Sequence, residues 1–87
     1  MKDTYIDTIS IVEGVEIRRY ETHSWQGYNG YHIVVVYKSK PRRKDYYYLT
    51  LEGLVEGTRE LITEYKNKGF NVLKEDVNLC PYPKTRC

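Results

Sequence analysis

The stretch KSKPRRKDYYY, residues 38–48, gathers the densest chemistry in the chain. Five of its first seven residues are cationic, and three tyrosines follow at once. On a projecting hairpin, Lys38, Lys40, Arg42, Arg43 and Lys44 would neutralise phosphates, and a two-stranded ribbon fits a major groove. Tyr46 and Tyr48 on the adjoining strand, or Trp25 from the loop HSWQGYNGYH, would supply rings for stacking on bases. The plainer role for the same cations is a charged hairpin end that keeps a sheet edge from aggregating.

A second set of charges has the opposite sign. Glu52, Glu56, Glu60 and Glu64 recur every fourth residue and fall on one ridge of a helix, where like charges at that spacing cost a little helix stability. A solvated face is the simple reading. The sharper one is a docking strip for a basic protein partner, as in an inhibitor or adaptor. Either way the ridge repels a polyanion, which is thereby confined to the hairpin tip or to the open face of the sheet.

Other residue types that could do chemistry do not converge. His23, His32, Cys80 and Cys87 could supply four zinc ligands, but neither histidine nor cysteine spacing matches a zinc finger, so no metal is expected. Cys80 and Cys87 bracket CPYPKTRC at the C-terminus. A disulfide closing that loop would add about 2–3 kcal/mol, whereas a reducing compartment favours two thiols. There is no phosphate-binding glycine loop before a helix and no legible nucleophile–base pairing. The expectation is a non-enzymatic protein without cofactors.

These side chains need elements to hold them. YIDTISIVEGVEIRRY reads as a hairpin, and a three-residue loop, Val12-Glu13-Gly14, pairs Ile11 with Val15, Ile9 with Ile17 and Asp7 with Arg19. That register keeps one face apolar and puts Gly14 where a left-handed residue is wanted. YHIVVVYK is a strand apolar on both faces, hence central. Its antiparallel partner is DYYYLT, with Lys38 opposite Asp45, Val36 opposite Tyr47 and Val34 opposite Leu49. From Thr50, the expected N-cap, the apolar residues switch to three-four spacing through Tyr65, Lys66 and Lys68 suit the last turn, and Gly69 stops the helix. Gly53 and Gly57 lie beside that stripe and imply close approach of something to the helix backbone. FNVLKEDV resumes as a strand, and the tail 79–87 is irregular. The order β-β-β-β-α-β describes a single α+β domain over 1–87: a mainly antiparallel sheet with one amphipathic helix on one face.

The composition agrees with a folded domain. Of 87 residues, 40% are hydrophobic and 30% charged, with a formal net charge of +2, which excludes a disordered basic tail and leaves any polyanion binding to a local patch. Ten tyrosines against one phenylalanine suit a thin, half-exposed sheet or a sticky surface. The first ten residues have no apolar core of a secretory signal, and the longest apolar run, YHIVVVY, is far short of a membrane span, so an intracellular location is expected. A sheet with a basic hairpin followed by one packing helix is similar in outline, over about half the chain, to integrase-arm-type DNA-binding domains, which lay a sheet in the major groove. In size and tyrosine content the chain also resembles accessory proteins of viruses and mobile elements. The readings to be tested are thus a nucleic-acid-binding module and, as the alternative, a protein-binding inhibitor or adaptor, with self-association into a homodimer open to either.

Overall fold

The computed structural model describes residues 2–23, 27, 29–74 and 79–82. Four strands, β1 (Lys2–Ile9), β2 (Val15–His23), β3 (Asn29–Tyr37) and β4 (Arg43–Tyr48), precede one helix, α1 (Leu51–Asn67). The strands pair antiparallel in the order β1-β2-β3-β4, so each joins its sequence neighbour and the sheet is an open meander. The helix covers one face, and the molecule is 17 Å across its thinnest direction, as expected of two layers.

The first hairpin has the expected register, with Ile9 opposite Ile17 and Asp7 opposite Arg19. Gly14 takes φ +82° in the turn, where a Cβ would be strained. A bulge between Tyr5 and Asp7 lets Ile6 fall on the core while Tyr5 keeps its place opposite Tyr20. β3 is interior, and Ile33 and Val35 are completely buried beneath the helix.

The second hairpin departs from expectation. Asp45 sits opposite Val34 and Arg43 opposite Val36, a displacement of four residues from the register that a Lys38–Asp45 pair would impose. An exposed ion pair contributes at most about 1 kcal/mol. The observed register instead sets Tyr46 beside Ile33 and Tyr48 beside Tyr31, which puts large rings against the core.

The helix begins and ends as its sequence dictates. Thr50 is extended, and its Oγ1 accepts a hydrogen bond from Gly53 N at 3.0 Å. Lys68 caps the other end and Gly69 turns the chain away at φ +94°. Leu54, Leu61, Ile62 and Tyr65 face the sheet. The strand expected after the helix is reduced, in its described part, to a bridge between Val72 and Val12. Glu13 N donates to Asn71 O, and Leu73 N donates to Ile11 O, so this segment ties to the first hairpin's turn and does not extend the sheet. Residues 75–78 of the expected strand lie outside the described residues.

One polar group is built into the core. Arg19 is only 1% exposed. Its Nε and Nη2 donate to the two Asp7 carboxylate oxygens at 2.7 and 2.6 Å, and its Nη1 reaches Leu79 O and, at 3.5 Å, Thr58 Oγ1. One guanidinium thus joins β1, β2, the helix and the C-terminal segment, and every part of it is engaged as a buried cation requires.

Candidate nucleic-acid interface

The connection between β3 and β4 lifts the expected cations into solvent. Lys38, Lys40, Arg42, Arg43 and Lys44 are all exposed, and Lys38 N donates to Gly14 O at 3.0 Å, which pins the base of the tip to the turn of the first hairpin. The tip does not project alone. It folds over the C-terminal end of the helix to form a cleft of about 780 Å³, whose rim carries Lys40, Arg42, Arg43, Lys44 and Lys68. Lys68 joins the tip cations only in the fold, because in the sequence it lies well beyond them at the end of the helix.

The floor of that cleft is aromatic. The phenols of Tyr37 and Tyr65 share a hydrogen bond of 2.7 Å, Tyr65 meets Phe70 edge-on at 5.4 Å, and Lys68 Nζ lies 5.6 Å from the Tyr65 ring centre. Burial, reinforced by the bond to Tyr37, pushes the Tyr65 phenol well above its ordinary pKa, so it stays a neutral hydroxyl. One acid, Glu13, is also on the rim, where it accepts a hydrogen bond from Asn71 at 3.0 Å. Cations around an apolar floor can hold an anionic group while burying a flat ring beside it.

The tyrosines divide differently from expectation. Tyr46 and Tyr48, expected to stack on bases, turn toward the helix and pack on the core. Tyr48 fills the space that Gly53 and Gly57 leave: a Cβ added at Gly57 would lie 2.3 Å from the Tyr48 ring. The close approach implied by the two glycines is therefore this side chain. Burial, and then the nearby Glu60 charge, raises the Tyr48 phenol pKa. Side chains alternate along a strand, so with Tyr46 and Tyr48 inside it is Tyr47 that faces out.

Tyr47 ends a row of rings on the face without the helix. Tyr5, Tyr20, His32 and Tyr47 come one from each strand and are direct cross-strand neighbours. Successive ring centres are 5.7, 5.9 and 4.4 Å apart, and the His32 and Tyr47 planes are within 11° of parallel. The two end members are the open ones, Tyr5 being 58% and Tyr47 57% exposed. His32 is the buried member of this row. Its Nδ1 bonds Asp3 Oδ2 at 2.9 Å, while Nε2 has no hydrogen-bond partner among the described residues and stands 3.7 Å from Asp45 Oδ2. Burial alone would raise the Asp3 carboxyl, but hydrogen bonds from His32 and Thr22 outweigh it and leave the pKa lowered.

The remaining candidates separate. Glu52, Glu56, Glu60 and Glu64 are exposed as expected, but Arg59 pairs with Glu56 at 2.6 Å and Lys68 with Glu64 at 3.7 Å, which interrupts the acidic ridge. His32 is on the open face and His23 on the helix side of the sheet, where its Nδ1 meets Asn29 Oδ1, so the two do not converge. Cys80 is disulfide-bonded and not the free thiol that a reducing compartment would favour, and Cys87 lies outside the described residues. Trp25 also lies outside them. No described helix is long and apolar enough to cross a membrane.

No protein-family model, no curated protein and no solved structure matches the chain, so the site stands on its own geometry.

Proposed function

We propose that the protein is a small, non-enzymatic nucleic-acid-binding module. The observation that carries this reading is the cleft in which Lys40, Arg42, Arg43, Lys44 and Lys68 surround a floor of Tyr37, Tyr65 and Phe70. Five cations line one concavity of a molecule whose net charge is only +2, and although Arg43 pairs with Asp45 and Lys68 with Glu64, they concentrate positive charge there. Phosphates would bind at the rim with release of counterions. The helix face, with its four glutamates, would keep the polyanion on the tip and the open sheet. The rival reading, a basic protein partner on the ridge, has less behind it because Arg59 and Lys68 already engage two of those four carboxylates.

Binding to duplex and single-stranded DNA measured across a salt series tests the proposal. Several phosphate contacts give a steep fall of log affinity with log salt. The paired substitution Arg42→Ala/Arg43→Ala should flatten the slope by about 1.5–2. Absence of salt-dependent binding at low ionic strength would contradict the proposal. Release of a captured basic protein by Glu56→Lys/Glu60→Lys would favour the rival.

A further inference from the structure

We infer that the target is a single strand, held by stacking of an unpaired base on Tyr47 at the end of the Tyr5–Tyr20–His32–Tyr47 row; this rests on the nucleic-acid reading above.

Neighbouring strands lie about 4.8 Å apart. The His32 and Tyr47 rings are 4.4 Å apart and nearly parallel, so they stand up from the sheet side by side. One face of the Tyr47 ring is covered by His32. The other looks past β4, which is the edge of the sheet. A further flat ring placed there continues a stack that the protein has already begun, and its support is rigid because His32 is buried and fixed through Nδ1 to Asp3.

The charge that would hold the attached backbone lies on the same strand. Arg43 shares the open face with Tyr47 and is four residues closer to the tip, or about 13 Å along the strand. That span is roughly four nucleotides of stacked single strand, at about 3.4 Å each. Arg43 also lines the basic cleft, so β4 links the ring row to the cations, with Asp45, which pairs with Arg43 at 3.1 Å, between them on the same face. Among the described residues this face also carries paired charges, Arg18 with Glu16 and Arg43 with Asp45, beside Val34 and Val36. A duplex cannot use this surface in the same way, since its base faces are already stacked. Unpaired bases present theirs, and every base has one, so recognition should depend little on sequence.

The test compares a short oligothymidylate with a short duplex, using the full chain. The wild type should prefer the single strand. Tyr47→Ala should weaken oligothymidylate binding by roughly 5- to 100-fold, the usual loss for one stacked base, while leaving the salt slope unchanged. Tyr47→Phe keeps the ring and should stay within about threefold of wild type. Tyr47→Leu, which preserves apolar bulk, should lose affinity like alanine and serves if the alanine variant folds poorly. Salt-dependent binding that tolerates both Tyr47→Ala and Tyr47→Leu, or that favours duplex, would overturn this inference and leave the proposed function standing. No salt-dependent binding to either nucleic acid would overturn both.

Discussion

The two faces of the sheet each bury a nitrogen-bearing side chain, and they treat it in opposite ways. Under the helix, Arg19 is engaged on every side by Asp7, Thr58 and Leu79, from three separate parts of the chain. On the open face, His32 holds Asp3 with one ring nitrogen, leaves the other without a hydrogen-bond partner among the described residues, and stacks beside a half-exposed tyrosine. The first is a closed network whose every bond serves the fold. The second is a support for a row of rings whose ends are open to solvent. Stability should therefore reside on the helix side, and the proposed recognition on the other and along the basic cleft that joins them.

The largest expected effect breaks the closed network. Asp7→Ala leaves a buried guanidinium without its carboxylate and should cost about 3 kcal/mol in urea unfolding, near the lower end for such losses because Asp7 is partly exposed. A replacement of both groups, Asp7→Leu/Arg19→Met, should recover much of that loss, since no charge is then stranded. If Asp7→Ala were neutral, the Arg19 network would not be holding the fold together.

Next in size is the contact between helix and sheet. Gly57→Ala improves intrinsic helix propensity by roughly 1 kcal/mol, but its methyl would meet the Tyr48 ring at 2.3 Å. A net loss of about 1–2 kcal/mol is expected, as for an overpacked core. In a Tyr48→Leu background the same substitution should turn neutral or stabilising, and a double-mutant cycle measures that coupling.

The smallest effect appears only in alkali. The Tyr65 and Tyr48 phenols have folded-state pKa values raised above their ordinary value of 10.0. Groups shifted in that direction contribute stability that is fully present below pH 10 and lost as the unfolded chain ionises first at higher pH. Unfolding free energy should therefore fall as pH rises past about 10, and Tyr65→Phe should flatten this decline. An alkaline limb unchanged in Tyr65→Phe would mean that this phenol is not protected by the core.

Much of the fold was legible because local signals agreed with each other. The Ile9–Ile17 and Asp7–Arg19 pairs, the Gly14 turn, the Thr50 cap and the Gly69 stop each follow from a single residue's conformational or pairing preference. The second hairpin was not legible, because Lys38 and Asp45 offered a charge pairing too weak to set register against the burial of Tyr46 and Tyr48. The face of each tyrosine was hidden for a related reason. YYY has no polar alternation, and what decides its orientation is the space left by Gly53 and Gly57, residues that only tertiary packing brings to Tyr48. The cations of the tip could be named from sequence, yet Lys68 joins them only once the helix end meets the hairpin. The ring row needed all three strand registers at once, including the bulge that keeps Tyr5 in line with Tyr20.

One nucleic-acid surface is proposed to run from the basic cleft to the helix-free face. Amide chemical-shift mapping during titration with oligothymidylate at low salt tests it most directly. Perturbations should concentrate at Lys38–Tyr48, at Arg18 and Tyr20, and at Lys68, with the amides of Glu52–Glu60 little changed. Shifts centred on the helix ridge, or none at all, would contradict it.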